Sequence, residues 1–421
     1  MHLVPCPTAP DRAAVRSGMR ACRLFVIAAC FAFPAVALAQ DAPPDGAIEP
    51  AAPTTEPAAA SPATGETPAP EAAPEAEPEA APEAEAFTAT ATNPFPGLTL
   101  LAFVDAYMAV HWTLPHPLSR DHSEALGHRA FDVIGGPTLS FVGLDVTYAP
   151  EPVGATVGLR YGASLPQHMG VASSGLPEGL QFISTAFASW KPTEDLQLDF
   201  GEFPTFVGAE LSESWLDPNY TRGAVYYLLQ PLYHTGLRAT WSATPTLTVT
   251  AIAVNGWNSF IDNNGGKTFG AMVAWSDEPW SLSLGYIGGP ELDGDNSHLR
   301  HLVDFIGSYD DGTFSLTTNV DVVTEDAPDG ASTQWGAMLT GRWALCEQFA
   351  LALRGEYLGD VQAHTRLATG TLTLDYQPHP ALVIRLDTRA DYSSEAEFPA
   401  PSGRLVDYVW SSVLGVVVHT N

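Results

Sequence analysis

Cysteine and basic residues are scarce in this chain of 421 residues. Three of the four cysteines lie within the first 30 residues, which leaves Cys346 alone in the remainder. One cysteine cannot build a disulfide framework or a cysteine metal site. Eighteen basic residues stand against 48 acidic ones, giving a formal net charge of −30. A chain this acidic cannot neutralise phosphates, so nucleic acid is not expected as a partner.

Long apolar runs and enzyme motifs are missing as well. Beyond residue 39 the sequence has no run of about 18 apolar residues, which excludes a membrane-spanning helix but not a membrane-spanning barrel. The chain also lacks a nucleophile elbow, an HExxH zinc motif and a phosphate-binding glycine loop. We therefore predict no enzyme activity, no cofactor and no metal. Scattered Ser, His and Asp residues would escape such a search, so a barrel hydrolase stays an alternative.

Residues 1–39 have the features of a signal peptide. Four arginines precede an apolar run beginning at Leu24, and the triplet ending at Ala39 consists of small and apolar residues. This order is typical of a secretory signal cleaved after Ala39. A lipoprotein signal ending at Cys30 is the alternative, with an apolar segment of only about six residues. The exported chain keeps 14 basic (18 − 4) and 47 acidic (48 − 1) residues.

Residues 40–93 are rich in proline, alanine and glutamate. Their first aromatic residue is Phe87, and they contain no lysine or arginine. Such a composition cannot bury enough apolar surface to offset the entropy of ordering, so we predict a disordered periplasmic linker. A more specific hypothesis is that the linker contacts the cell wall.

From residue 94 onwards, apolar and polar residues alternate, as in β-strands. Val157, Leu159 and Tyr161 fall on one face of such a segment, for example, and Arg160 falls on the other. Glycine, proline, asparagine and aspartate interrupt the alternation about every 8 to 20 residues. The pattern predicts an all-β fold.

Sixteen strands are predicted between residues 98 and 418, among them one near 180–191 and the last near 404–418. The connections between them alternate between two or three residues and about 8 to 28 residues. Short turns at one rim and long loops at the other are typical of outer-membrane barrels. We therefore predict that residues 94–421 form a closed antiparallel transmembrane β-barrel, with short periplasmic turns and long external loops.

Aromatic and charged residues favour a membrane barrel over a soluble sandwich. Trp112, Tyr148 and Trp190 lie at strand ends on the apolar face, as in interfacial girdles, although core aromatics are the alternative. The polar faces carry Asp105, Arg160, Arg238, Asp304, Arg342, Arg354, Glu356, Arg385, Asp387, Arg389 and Asp391. A basic side chain facing lipid at the midplane would cost about 2 to 4 kcal/mol. These residues are therefore predicted to line a lumen wide enough to keep them solvated.

The segment 204–232 is long for a loop, and loops of this length are usually functional. We predict that it folds into the lumen and narrows it. Glu210, Glu213, Asp217 and Arg222 would then lie near the constriction. An external flap over the mouth is the alternative.

Two other segments resemble parts of calcium-binding loops. One contains Asp293, Asp295 and Asn296, and the other is Asp262–Asn264. Neither has the full spacing with a distal glutamate. We interpret both as solvated acidic loop tips.

Eight short sequences together carry a family resemblance. They are Gly201–Glu210, Asn219–Arg222, Tyr233–Arg238, Asn255–Asn258, Asp262–Asn264, Lys267–Gly270, Arg354–Tyr357 and Arg385–Asp391. In combination they resemble the OmpL-like outer-membrane β-barrel porins, from about Leu98 to the C-terminus. The resemblance implies an outer-membrane pore for small solutes, but a shared fold does not transfer a substrate class.

The sequence thus predicts a bacterial outer-membrane porin through which small polar solutes or ions diffuse. A structural or adhesive barrel with a plugged lumen is the main alternative. Outer-membrane lipid and lipopolysaccharide are expected partners, together with two further copies in a homotrimer. Because acid is in excess, we expect a mild preference for cations.

Overall fold

The computed structural model of the protein describes residues 97–114, 126–165 and 179–420. All of these belong to the segment predicted to form the barrel, residues 94–421. The predicted signal peptide (1–39) and linker (40–93) lie outside the described residues.

The described residues form an antiparallel sheet that closes on itself. The first fifteen strands are β1 (Leu98–His111), β2 (Gly136–Tyr148), β3 (Val153–Tyr161), β4 (Ile183–Trp190), β5 (Leu196–Pro204), β6 (Tyr233–Thr244), β7 (Leu247–Val254), β8 (Thr268–Asp277), β9 (Trp280–Pro290), β10 (Leu299–Asp310), β11 (Phe314–Glu325), β12 (Ser332–Cys346), β13 (Phe349–Asp360), β14 (Arg366–His379) and β15 (Leu382–Ser393). Two short strands, β16 (Phe398–Pro399) and β17 (Leu405–Val406), form a separate hairpin, and β18 (Tyr408–His419) completes the barrel.

The last strand closes the barrel by pairing with both β15 and β1. In the β1–β18 pair, Phe103 lies opposite His419 and His111 lies opposite Ser411. Closure gives the backbone groups of the terminal strands a partner, which is required where lipid offers none. The predicted closed barrel of sixteen antiparallel strands is confirmed.

The two faces of each strand differ in character. On β1, Leu100, Val104 and Met108 are about half exposed, whereas the alternate residues Asp105 and Tyr107 are buried. Successive side chains of a strand point to opposite faces, so the exposed apolar row is the outer surface and the buried row points inward. An apolar outer surface is what a barrel in a membrane requires.

Two predicted strands begin three or more residues later in the structure than expected. The strand predicted at 180–191 begins only at Ile183, because Leu180–Phe182 form a 3₁₀ turn after Gly179, which has φ 98°. The strand predicted at 404–418 is divided between the hairpin strand β17 and the barrel strand β18. Alternation along the chain does not reveal which partner a strand pairs with, so the boundary between these two was not visible in the sequence.

One α-helix of the described residues, α1 (Ala224–Leu229), lies in the connection between β5 and β6. Among the residues that the structure describes, no helix is both long and apolar enough to cross a membrane.

The outward orientation of the apolar row can be tested on β14. Leu372 lies near the middle of this strand and is 53% exposed on the outer face. We expect Leu372→Arg to lower the free energy of unfolding in lipid vesicles by about 2 to 4 kcal/mol, because the charge would face the bilayer midplane. Urea titration followed by tryptophan fluorescence measures the change.

The matched control is Leu405→Arg in the hairpin. Leu405 is 58% exposed but lies outside the barrel sheet. Its replacement should alter stability by less than about 0.5 kcal/mol. Equal effects of the two substitutions would mean that Leu372 does not face lipid.

Candidate functional site

The connection between β5 and β6, residues 205–232, is bonded to inward-facing side chains around the barrel wall. The Ala209 amide donates to the Asn319 side chain of β11, at 3.1 Å. Ser214 donates to Asp105 of β1, at 2.7 Å. Asn219 donates to Thr373 of β14, at 2.6 Å. We call residues 205–232 the inserted loop, because its contacts reach strands on different sides of the lumen.

Arg354 on β13 binds the middle of the inserted loop. Its side chain is fully buried, and its Nη1 donates to Glu210 Oε1 at 2.6 Å and to the Thr221 carbonyl. Its Nη2 donates to Thr371 Oγ1 of the neighbouring strand, at 3.1 Å. The guanidinium therefore joins two separate parts of the loop to the wall.

Glu356, two residues further along β13, holds the start of α1. It accepts hydrogen bonds from the Ala224 and Val225 amides, at 3.0 and 2.9 Å. Gly223 just before the helix donates its amide to Glu210, at 2.8 Å. A Cβ at Gly223 would clash with both carboxylates, so the close approach requires glycine there.

A second group of contacts fixes the loop to β15. Asp387 accepts the Thr221 amide at 2.8 Å and the Thr221 hydroxyl at 2.9 Å. Arg385 donates to the Asp217 carbonyl at 2.5 Å, and Arg389 donates to the Arg222 carbonyl at 2.6 Å. Alternating arginine and aspartate on one inward face thus supplies donors to loop carbonyls and acceptors to loop amides.

The loop tip is bound by strands β1 to β3, which β18 separates from β15. Arg160 on β3 pairs with Asp145 of β2 and with Glu213 of the loop, both at 2.6 Å. Trp215 packs against Phe103 of β1, with ring centroids 4.4 Å apart. The inserted loop therefore meets both the β1 to β3 wall and the β13 to β15 wall.

Apolar packing fills the space between the loop and the strands from β7 to β13. Val225 and Leu229 of the loop helix belong to a buried cluster that includes Ile252, Leu302 and Leu358. These residues are all less than one tenth exposed. On this side the inserted loop therefore shares an apolar core with the wall.

The connection between β1 and β2 forms a further polar network near the external rim. Asp391 accepts hydrogen bonds from His128 Nε2, Arg129 Nε and Arg389 Nε, each at 2.7 Å. Arg129 also donates to Ser411 of β18, at 2.7 Å. His128 and Arg129 were not predicted as site residues, since nothing in their local sequence indicates a partner about 260 positions away.

All eleven residues predicted to line the lumen lie on inward-facing positions, but most are not solvated. Asp304, Arg354, Asp387 and Arg389 have no exposed surface. The expectation that these charges stay in water is therefore wrong. The inserted loop and the neighbouring strands replace water as their hydrogen-bond partners, which offsets the cost of burying them.

The four predicted loop residues hold the loop together as well as joining it to the wall. Arg222 donates to the Leu211 carbonyl at 3.1 Å, and Asp217 accepts the Leu211 amide at 2.9 Å. Glu210 binds Arg354, and Glu213 binds Arg160. Of the four, Glu213 keeps the largest exposed side-chain fraction, 20% against at most 6% for the other three.

Six side chains of the inward ion pairs are 20% or more exposed. They are Arg342 at 35%, Arg300 at 26%, Asp145 at 23%, Glu325 at 23%, Arg238 at 20% and Glu213 at 20%. Arg342 pairs with Asp375 at 3.2 Å, and Arg238 pairs with Asp199 at 2.8 Å. Three of the six charges are positive and three are negative.

The two acidic external loops bind each other and their own backbones. Asn263 Nδ2 donates to Asp293 Oδ1, at 2.8 Å. Hydrogen bonds from the Ser297 hydroxyl and amide lower the pKa of Asp295. Among the described residues, no group of three or more His, Cys, Asp or Glu side chains is arranged to hold a metal ion.

A family comparison matches most of this barrel. The family described as "Putative beta-barrel porin-2, OmpL-like" matches residues 97–413. The chain belongs to this family. The resemblance predicted from the eight short sequences is thereby confirmed, and the family and fold together identify an outer-membrane barrel of the porin kind. No curated protein matches the chain.

Solved porin structures share the fold at low sequence identity. The anion-selective porin of Comamonas acidovorans is 13% identical, with a TM-score of 0.53 over 77% of this chain and 99% of that chain. The trimer form of OmpT of Vibrio cholerae is 12% identical, with a TM-score of 0.51 over the same shares. The channel DcaP of Acinetobacter baumannii is 10% identical, with a TM-score of 0.51 over 77% of this chain and 97% of that chain.

Stability measurements can test how strongly Arg354 holds the loop. We expect Arg354→Met to lower the free energy of unfolding by about 3 to 5 kcal/mol, because Glu210 and Glu356 lose their buried cation. Arg342→Met is the control, since its 35% exposed ion pair should contribute only about 0 to 1 kcal/mol. Guanidinium titration in vesicles gives both values.

A double variant separates the ion pair from the rest of the site. Adding Glu210→Gln to Arg354→Met removes one of the two unpaired carboxylates, so part of the lost stability should return. If the double variant loses the sum of the unfolding free energies that the two single variants lose, Arg354 and Glu210 are not coupled.

Proposed function

We propose that the protein is a porin in which the inserted loop forms the constriction of a narrow pore for small polar solutes or ions. The observation that carries this proposal is the attachment of one loop to the inward faces of β3 and β11, which lie eight strands apart in the barrel of sixteen. A loop fastened across a barrel reduces its open cross-section, and the charges beside it set which solutes pass.

The inward surface near the short turns supports a water-filled path. There the wall carries small polar side chains that are half-buried: Thr240, Ser283, Ser308 and Thr317. Such side chains hydrogen-bond water and occupy little volume. The proposed solute path runs between this polar wall and the inserted loop.

A structural barrel with a plugged lumen is the second candidate. The burial of Arg354, Asp387 and Arg389 favours it, since charges lining an open pore would keep contact with water. The two candidates differ in one measurable property, because a plugged barrel does not conduct ions across a planar bilayer.

The remaining parts of the proposal concern partners and location. We propose contact with lipid and lipopolysaccharide on the outer face, a homotrimer by analogy with the OmpT trimer, and a periplasmic linker at residues 40–93 that reaches the cell wall. We propose no enzymatic activity. Esterase and protease assays on the purified barrel check this point, and turnover that stays with the barrel through purification would contradict it.

Shortening the inserted loop is expected to increase single-channel conductance. Leu211 and Asp217 are hydrogen-bonded at 2.9 Å, so residues 212–216 can be replaced by a short glycine link with little strain. The excision removes the contacts of Glu213 with Arg160 of β3 and of Ser214 with Asp105 of β1. We expect at least a twofold rise in planar bilayers, because the narrowest part of the path is widened.

The control is removal of residues 327–331, an external connection of similar length whose residues are mostly exposed. It should leave conductance unchanged. Conductance that stays at the wild-type value after excision of residues 212–216 would reject the constriction. If neither the wild type nor this excision variant conducts, the plugged barrel is favoured.

Ion preference provides an independent test of the path. The acid excess of the whole chain favours cations mildly, while Arg342, the most exposed side chain of the inward ion pairs, opposes them. Arg342→Gln should therefore shift the reversal potential in a salt gradient towards cation preference. Arg404→Gln, on an exposed external residue, serves as the control and should cause a smaller shift.

A further inference from the structure

A groove runs along the outer face of the barrel on β13, β14 and β15. Gly370 of β14 lies opposite Gly355 of β13 and Ala390 of β15, and all three are exposed. A Cβ at Gly355 or Gly370 would have no atom of the described residues within 4 Å. Leu372, two residues further along β14, is 53% exposed and ends the groove. Gly355, Ala368, Gly370 and Ala390 form what we call the outer groove.

Two tyrosines border the outer groove nearer its external end. Tyr357 of β13 and Tyr392 of β15 both lie opposite Ala368 of β14, and they are 45% and 53% exposed. The ring of Tyr357 also packs against Trp335 of β12, with centroids 5.6 Å apart. Aromatic girdles mark the membrane–water interfaces of outer-membrane barrels. The outer groove therefore runs from the level of the lipid headgroups into the hydrocarbon region.

Arg366 lies at the external end of the outer groove. It is the first residue of β14 and, two positions from Ala368, it shares the outward face of that residue. Its side chain lies over Gly359 of β13, where a Cβ would be 3.3 Å from Arg366 Cδ and 3.1 Å from Trp335 Nε1. Because each strand residue adds about 3.3 Å, the arginine lies about 7 Å beyond the two tyrosines on the external side.

Arg366 is a cation that lacks a carboxylate partner. Nine of the eleven arginines in the described residues form an ion pair within 4.0 Å, and Arg366 is one of the two that do not. Its Nη1 donates to the backbone carbonyls of Thr365 at 2.9 Å and Asp360 at 3.4 Å, whereas its Nε and Nη2 donate to no group of the described residues. The Asp360 carboxylate is engaged elsewhere, by the Ala363 amide at 2.7 Å and the Gln334 side chain at 3.3 Å. A guanidinium with two unused donor atoms suits a phosphate.

We propose that Arg366 and the outer groove bind one lipopolysaccharide molecule of the external leaflet. A phosphate of its lipid A part accepts hydrogen bonds from Nε and Nη2 of Arg366. One acyl chain lies between Tyr357 and Tyr392 and packs over Gly370. The site presents a cation outside an apolar groove, in the same order as lipid A presents phosphate outside hydrocarbon. This inference rests on the proposed contact with lipopolysaccharide and deepens it, and it needs no open pore.

Native mass spectrometry of the purified full chain in detergent tests the site, with bisphosphorylated lipid A as the probe. We expect one tightly bound molecule per chain. Lipid A without its phosphates should bind at least tenfold more weakly, and so should phosphatidylglycerol and inorganic phosphate, since neither offers both the headgroup and the chains of lipid A.

Variants separate the two parts of the site. Arg366→Gln should weaken lipid A binding about tenfold or more, because the charged donors are lost. Arg366→Lys keeps the charge and should lose less. Gly370→Leu fills the outer groove and leaves the cation in place, and it should weaken binding at least fivefold.

Matched controls exclude general effects on the fold. Arg404→Gln removes the other arginine without an ion pair, which is exposed between β16 and β17 and outside the barrel sheet. Ala251→Leu adds the same bulk at an exposed outward position of β7, seven strands from β14. Both should leave affinity within twofold. Unchanged unfolding midpoints of the Arg366 and Gly370 variants exclude misfolding as the cause.

Four outcomes would overturn the proposal: no binding of lipid A, equally tight binding of lipid A without phosphates or of phosphatidylglycerol, equal effects of Arg366→Gln and Arg404→Gln, or an oligomer mass that changes in Gly370→Leu while lipid A binding does not. The last result would mean that this face contacts a second copy of the chain. A protein that conducts but does not bind lipid A overturns this inference alone. One that binds lipid A but does not conduct overturns the proposed pore and supports the lipid site.

Discussion

The buried guanidinium of Arg354, bonded to Glu210 and to the Thr221 carbonyl, is the interaction on which the interior of this barrel depends. A charge on a strand of a closed sheet has few partners within that sheet, because neighbouring strands offer only the side chains on the same face. Burying it without partners would cost several kcal/mol. The inserted loop supplies the missing acceptors, and Arg354 in turn gives the loop a fixed position.

The same requirement extends around the wall. Asp387 accepts donors from Thr221, and Arg385 and Arg389 donate to loop carbonyls. Each contact satisfies a backbone group that would otherwise be buried without a partner. A segment of irregular backbone is tolerated at membrane depth because it is enclosed by protein and not exposed to lipid.

The loop joins the wall through both apolar and polar contacts. Towards β7 to β13 it packs through Val225 and Leu229 in an apolar cluster, and towards β1 to β3 the packing of Trp215 on Phe103 lies beside the polar contacts of Arg160 and Asp105. A pore proposed in this barrel therefore has one wall made by the loop and another made by the small polar residues of the strands.

Much of the fold could be predicted from the sequence, and much of the candidate site could not. Alternation of apolar and charged residues identified which face of each strand points inward, because side chains in a strand alternate strictly. The length of segment 204–232 singled it out as the loop of interest. The solvation of the inward charges was predicted wrongly, because alternation gives the direction of a side chain and not what it meets there.

What the sequence determined by itself is local: the strands, their two faces, and the short and long connections that belong to opposite rims. What the tertiary structure decided is which distant groups meet, such as Glu210 with Arg354 and His128 with Asp391, separated by 144 and 263 positions. A period of two residues is a property of a short segment, whereas a partner across the lumen depends on the closure of the whole sheet and the path of one loop inside it.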